Sequence, residues 1–131
     1  MKLSTCRNCN KNYLRGKSSL GIYCSNKCQG EFKYKESIKN WLSGDKKGWS
    51  GKTRRLSSFI RRWLKETRGS KCSKCGWDEK HPLDNNSLTE INHIDGNAEN
   101  CNPLNLEILC PNCHSMTINF KNRNKISKRK R

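Results

Sequence analysis

The clearest chemistry in this chain belongs to its nine cysteines. Eight of them form four closely spaced pairs, and each pair places two thiolates on one side of a tight turn. The pairs combine into two sets of four, Cys6, Cys9, Cys24 and Cys28 first, then Cys72, Cys75, Cys110 and Cys113. Four thiolates make a tetrahedral zinc site, whereas disulfides are rare in a reducing compartment. We therefore predict two structural Zn²⁺ ions, with Cys101 as a non-ligand.

A second group of residues that could do chemistry lies within the second cysteine set. His93 and Asn105 fall between its two pairs, and His114 directly follows Cys113. Hydrolysis of a phosphodiester needs a base that activates water, a cation that stabilises charge, and a scaffold that holds both. Imidazole suits the role of base because its ordinary pKa lies near working pH. A histidine beside a zinc site is often an ordinary surface or core residue, so the surrounding sequence has to decide.

That surrounding sequence resembles the HNH endonuclease family. The segments INHIDGN (91–97), NPLNL (102–106) and LCPNCH (109–114) place an asparagine twelve residues after a histidine, and a second histidine nine residues later. Two CxxC pairs flank this pattern, as they do in a zinc-bearing subgroup of the family. The resemblance covers residues 70–121. It implies a ββα-metal fold around one catalytic divalent cation.

The resemblance also implies roles for single residues. His93 would be the general base, Asn105 would hold the loop between the strands, and His114 would bind the catalytic metal, which is Mg²⁺ with Mn²⁺ as a substitute. The residue before the base is a metal ligand in the family, usually Asp or His, and here it is Asn92. An amide oxygen coordinates hard cations without adding charge, so a DNA phosphate would have to complete this site. Alternatively, His114 is a spare zinc ligand.

Composition predicts a nucleic-acid partner. The 131 residues include 28 Lys and Arg against 11 Asp and Glu, a formal net charge of +17. Such a charge predicts a polyanionic partner, and we expect double-stranded DNA. Only 31% of the residues are hydrophobic, so zinc binding must replace much of a conventional core. Without an apolar membrane span or a signal-peptide core, we expect no membrane partner and an intracellular protein in the cytoplasm of its host cell.

We predict a small, zinc-stabilised α+β protein in which an N-terminal zinc knuckle and helices precede the ββα-metal HNH unit. Its four predicted segments are a four-cysteine zinc knuckle plus helix (1–43), a basic connector and helix (44–69), the HNH domain with its own four-cysteine zinc site (70–121) and a basic tail (122–131). The connector is Gly- and Lys-rich, which favours mobility in the free protein. The tail should be disordered until it meets a phosphate backbone.

Hydrophobic spacing, together with residues that typically start or end helices and strands, predicts the individual elements. The predicted helices span about 25–43, 53–68 and 111–121, and the predicted strands of the HNH unit span 88–94 and 105–109. Leu56 is assigned to the apolar face of the second helix. The same helix is rich in basic residues, and the four that we expect to contact DNA phosphates are Arg54, Arg55, Arg61 and Arg62. Phosphate contacts give affinity and register without reading the base sequence.

A binding region ahead of a small HNH unit is similar to the organisation of small phage, mobile-element or homing endonucleases. Two other interpretations stay open. A non-catalytic zinc-finger DNA-binding protein with a degenerate HNH unit is favoured by Asn92, which replaces the acid. A zinc-ribbon RNA-binding protein explains the charge and the cysteines, but it leaves the spacing of His93, Asn105 and His114 as coincidence.

Overall fold

The computed structural model describes residues 2–16 and 21–121, so the predicted basic tail lies outside the described residues. The chain divides into two compact units, Met1–Lys46 and Lys47–Arg131. Within the described ranges, three α-helices accompany three two-stranded antiparallel sheets, which confirms a small α+β architecture. None of the described helices is long and apolar enough to cross a membrane.

The first unit consists of a hairpin followed by one long helix. Strands β1 (Lys2–Thr5) and β2 (Asn12–Arg15) pair antiparallel, and the turn between them carries Cys6 and Cys9. Helix α1 (Asn26–Leu42) starts where the hydroxyl of Ser25 accepts the backbone N–H of Cys28 at 3.1 Å. This N-cap satisfies a donor that the first turn leaves unpaired. The helix keeps nearly the range that the sequence predicts.

The second unit begins with a short hairpin, whose first strand falls within the predicted connector (44–52). Strand β3 (Trp49–Ser50) pairs with β4 (Arg55–Leu56), and α2 follows over Ser58–Arg68. The predicted start of α2 near residue 53 is wrong. Arg54 has a φ of 52°, and a residue in this left-handed region cannot lie within a right-handed helix. Leu56 is buried as a strand residue opposite Trp49 and not on the helix face.

Contacts near its first turn and at its last residue hold helix α2 in place. Ile60 and Leu64, one turn apart, are fully buried. A Cβ on Gly48 would lie 2.6 Å from the Cβ of Cys101 and would also clash with Ile60, so only glycine permits this approach. At the other end, the guanidinium of Arg68 donates to the carbonyl oxygens of Leu106 at 2.6 Å and Pro103 at 2.8 Å.

The last elements are β5 (Glu90–His93), a 3-10 turn (Pro103–Asn105), β6 (Leu106–Leu109) and α3 (Pro111–Ser115). Strands β5 and β6 pair antiparallel, with Glu90 opposite Leu109 and His93 opposite Leu106. The elements follow the predicted order, although Asn105 belongs to the turn and not to the strand.

Helix α3 is much shorter than the predicted range of 111–121. The backbone N–H groups of Met116 and Thr117 bond to carbonyls three residues earlier, those of Cys113 and His114. The hydroxyl of Thr117 donates to the same His114 carbonyl at 2.8 Å. These bonds tighten the last turn and use the carbonyl that a longer helix would need, so the helix ends at Ser115.

Candidate functional site

Each predicted set of four cysteines converges on a single point. The four Sγ atoms of each set lie within 4.8 Å of one another. Individual Sγ–Sγ distances are 3.8 Å for Cys9–Cys24 and 3.7 Å for Cys75–Cys110. A tetrahedral site with Zn–S bonds of about 2.3 Å requires S–S separations of about 3.8 Å. Both donor sets fit zinc in number, chemistry and spacing, so the two clusters could hold two Zn²⁺ ions.

The cysteine clusters are also electrostatically suited to a cation. Burial opposes ionisation of Cys6 and Cys72, but hydrogen bonds from nearby backbone amides outweigh it and lower the pKa of each thiol to about 6. Hydrogen bonding to Cys28 raises the pKa of Cys24 to about 12, and hydrogen bonding to Cys110 does the same for the pKa of Cys113. Crowded thiols share protons in this way, and a divalent cation among them would displace those protons.

The β5–β6 hairpin divides the candidate catalytic residues between two faces. Side chains alternate along a strand, so Glu90 and Asn92 share one face of β5, while Ile91 and His93 share the other. Glu107 lies opposite Asn92 in the register and therefore joins the first face. Helix α3 contacts both strands. We call the face of Glu90, Asn92 and Glu107 the carboxylate face.

On the carboxylate face, His114 is held by a glutamate. Its Nδ1 lies 2.5 Å from Oε2 of Glu90. Because a carboxylate only accepts, the ring donates through Nδ1, and in the neutral tautomer that does so, Nε2 is the atom that can bind a metal. A carboxylate behind a ligating imidazole is the common support in metal sites. The sequence analysis missed Glu90, although its position two residues before Asn92 puts both on the same side of a strand.

Asn92 is held in a similar way. Its side chain is only 8% exposed, and its Nδ2 donates to Oε1 of Glu107 at 2.9 Å. This bond leaves the amide oxygen of Asn92 as the atom that can coordinate a cation. Glu107, like Glu90, was missed, because only the strand register brings it to Asn92. Glu107 and Glu90 thus place negative charge beside Asn92 and His114, and oxygen donors of this kind are those that hard divalent cations take. Among the described residues, only the two cysteine sets bring three or more potential His, Cys, Asp or Glu ligands to one point.

His93 occupies the opposite face in a different environment. It is half-buried, and its Nε2 lies 3.8 Å from Sγ of Cys101, whose thiol donates to the carbonyl of Ala98 at 3.4 Å. Burial lowers the pKa of His93 from its ordinary value of 6.5, and the positive charge of Arg61 lowers it further against the raising effect of Asp95. The ring is therefore neutral at pH 7 and able to accept a proton. Cys101 belongs to neither thiolate cluster.

Asn105 closes the loop that follows His93. Its Nδ2 donates to Oδ1 of Asp95 at 2.9 Å and to the carbonyl of Asn100 at 2.8 Å, while its Oδ1 accepts the Asp95 N–H at 3.0 Å. The backbone carbonyl of Asn105 also accepts the N–H of Ile94 at 2.8 Å. Hydrogen bonds from Asn100, the Asn97 backbone and Asn105 hold the pKa of Asp95 below its ordinary value. The carboxylate stays charged and keeps the loop fixed beside His93.

The four predicted DNA-contact arginines differ in their surroundings. Arg54 pairs with Glu99 at 2.5 Å, and Arg62 pairs with Glu66 at 2.7 Å. Arg55 is exposed on β4. Arg61 is exposed on α2 and lines a cleft beside the hairpin.

Comparisons of this chain with family models, with curated proteins and with solved structures find no match. Its function is therefore inferred from its own residues and their geometry. The features available for that inference are the two thiolate clusters, the carboxylate face with His114, and the half-buried His93.

Proposed function

We propose that this chain is a metal-dependent DNA endonuclease that hydrolyses phosphodiester bonds. The observation that carries the proposal is that Asn92 and His93, consecutive residues at the end of β5, place their side chains on opposite faces of the strand. His93 presents a neutral imidazole on one face, and Asn92 joins His114 and two glutamates on the other. A base and a cation site on one hairpin are the two requirements of phosphodiester hydrolysis. The net charge of +17 supplies affinity for the polyanionic substrate.

In this mechanism, His93 takes a proton from the attacking water at Nδ1, since Nε2 faces Cys101. Asn105 fixes the loop and thereby the orientation of the ring. Asn92 and His114 would hold a divalent cation, which when bound would stabilise the negative charge that develops on the phosphate and the leaving oxygen. Glu90 keeps the His114 ring in one orientation. In this proposal the scissile phosphate crosses the end of β5, where His93 on one face and Asn92 on the other are adjacent in the sequence.

Supercoiled plasmid incubated with the chain in Mg²⁺, Mn²⁺ or EDTA tests this proposal. Relaxation in either metal and its loss in EDTA are the expected results, with open-circle product reporting nicks and linear product reporting double-strand cuts. Intact plasmid in every metal, with DNA still bound, would overturn the proposal.

That second outcome would favour a non-catalytic zinc-finger DNA-binding protein with a degenerate HNH unit. One observation supports this alternative. Asn92 brings no charge to the cation site, because only its neutral amide oxygen is left to coordinate. Binding of duplex DNA that is equal in EDTA and in Mg²⁺, without cleavage, would distinguish it from the nuclease.

Replacing Glu90 with alanine should weaken the catalytic cation site. Without its carboxylate, the His114 ring is free to rotate, and loss of such a supporting group typically costs 10–100-fold in metal affinity. We expect the Mn²⁺ concentration for half-maximal cleavage to rise about tenfold or more, with the rate largely recovered at saturating Mn²⁺. Glu79→Ala, at an exposed loop residue, serves as the control. An unchanged Mn²⁺ requirement in Glu90→Ala would contradict this role.

The pH dependence of cleavage should report the neutral form of His93. Its pKa lies below the ordinary value of 6.5, and only the neutral imidazole accepts a proton. Activity is therefore lost as pH falls through that pKa and is fully present above it. We expect single-turnover rates at saturating Mg²⁺ to rise through a midpoint below pH 6.5 and then level off. A midpoint above that value would contradict the burial of a neutral ring.

A further inference from the structure

A small cleft separates α2 from the β5–β6 hairpin on the face that carries His93. It encloses a cavity of about 170 Å³. Six of its lining residues matter here, namely Arg61, Lys65, Ser70, Ser87, Thr89 and Ile91. Two are cations, three bear hydroxyls, and Ile91 belongs to β5. We call this cavity the α2 cleft.

The α2 cleft has unopposed positive charge. Arg61 and Lys65 are one helical turn apart, so both side chains project from the same side of α2. Neither residue forms an ion pair within the described ranges, and no carboxylate lines the cavity there. The neighbouring Arg62, by contrast, pairs with Glu66. An anion is therefore the ligand that fits this cavity electrostatically.

The wall opposite the two cations is ordered by its own hydrogen bonds. The Thr89 hydroxyl donates to the carbonyl of Ser70 at 2.6 Å, and the Ser87 and Thr89 hydroxyls lie 2.9 Å apart. These fixed hydroxyls give the cavity one ordered polar side, next to the apolar side chains of Leu64, Ile91 and Ile108. The charged contacts to an anion would therefore come from Arg61 and Lys65.

The position of the α2 cleft connects it to the proposed base. Ile91 and His93 share a face of β5 and are two residues apart, a separation of about 7 Å along a strand. The charge of Arg61 also acts on His93. An anion in the cleft would thus lie on the same face of β5 as the imidazole, one strand repeat away.

We propose that the α2 cleft binds a phosphate group of the DNA backbone next to the scissile one, with Arg61 and Lys65 as its charged contacts. This inference rests on the proposed nuclease function and assigns the positioning of the substrate to residues other than the base and the metal ligands. A phosphate held here fixes the register of the duplex against His93, so the cleft positions the substrate as well as attracting it.

Equilibrium binding of a DNA duplex to the full chain in EDTA, at several salt concentrations, tests the cleft without requiring cleavage. Each phosphate contact contributes about 0.9 to the slope of log K against log salt, so losing one costs about fivefold in affinity near 0.15 M salt. We expect this loss, with a slope shallower by about one, in Arg61→Ala and in Lys65→Ala. Arg61→Lys should keep most of the slope because it keeps the charge.

Lys74→Ala is the matched control for Lys65→Ala, because it removes the same charge from an exposed residue away from the cleft. Affinity losses in the Arg61 and Lys65 variants that exceed the Lys74 loss support the cleft. Equal losses in all three would overturn it, since the charge would then act only through the overall field. Plasmid cleavage by the unmodified chain is scored separately. If the unmodified chain cleaves the plasmid but Arg61→Ala binds DNA with unchanged affinity, only the cleft is refuted. If the unmodified chain does not cleave but Arg61→Ala binds DNA more weakly, only the nuclease function is refuted.

Discussion

Replacing His93 with alanine should slow DNA cleavage by at least about a hundredfold, because a general base typically contributes 10²–10⁴ to the rate. DNA affinity should stay nearly unchanged. The imidazole is half-buried against Cys101 and has no formal charge at neutral pH, so it contributes little to phosphate binding. The measurement is single-turnover cleavage at saturating enzyme with Mg²⁺, together with DNA binding in EDTA.

His81→Ala provides the control for this experiment. His81 lies in a loop where its Nδ1 accepts the Leu83 N–H at 3.1 Å, and it belongs to none of the clusters described above. We expect the His81 variant to cut at the rate of the unmodified chain. Cleavage at a normal rate by His93→Ala would remove His93 from the mechanism, and an equal loss in both variants would point to general damage to the fold.

Replacing Cys72 or Cys110 with alanine should unfold the unit of residues 47–131. Both residues are at most 4% exposed and pack against Leu109, so the thiolate cluster is part of the core. Structural zinc supplies about 10 kcal/mol or more of apparent free energy, whereas a whole domain is typically stable by about 5–15 kcal/mol. We expect bound zinc to fall from two ions per chain to one, with loss of the cooperative thermal transition of this unit.

Cys101→Ala is the matched control, since Cys101 is also buried, at 6% exposure, but lies outside the clusters. It should retain two zinc ions and a cooperative transition, with a loss of about 1 kcal/mol from weakened packing. Two zinc ions retained by the Cys72 variant would contradict the four-thiolate site. A normal melting transition without zinc would contradict the coupling of zinc binding to folding.

The features that depend on neighbouring residues were predictable from the sequence. Three CxxC pairs and one CxxxC pair identified both thiolate clusters, because each pair needs only its own tight turn. The first helix was placed within about a residue at each end, because Ser25 is a strong N-cap and Gly44 a strong stop. Local chemistry fixes these features before any tertiary contact forms.

The errors came from elements with weak local signals. Strands β3 and β4 are two residues long, too short to show any periodicity, and their pairing depends on the left-handed turn at Arg54. Leu56 fits the helical spacing of the apolar residues after it, so the sequence predicted a helix where this turn and β4 lie. Helix α3 ended early because Thr117 competes for the carbonyl of His114, a contact that hydrophobic spacing does not reveal.

The candidate site likewise combines residues that the sequence identified with contacts that it did not reveal. The HNH resemblance singled out His93, Asn105 and His114, but not the groups that hold them. Glu90 reaches His114 over 24 positions in the sequence, and Glu107 reaches Asn92 over 15. The first contact depends on how α3 packs against β5, and the second on the register of β5 and β6. Neither is visible in the sequence of a single element.

Helix α3 has a consequence for the way in which metal loss would inactivate this protein. Five residues are too few for a helix to persist alone in water, so its geometry depends on Cys110 and Cys113, which bracket its first turn. His114 is the next residue and inherits its position from those thiolates. If the proposed catalytic cation binds at His114, its removal leaves α3 in place and should be reversed by adding Mg²⁺. Removing the thiolate-bound ion would displace His114 itself, and recovery would have to wait for the chain to refold around zinc.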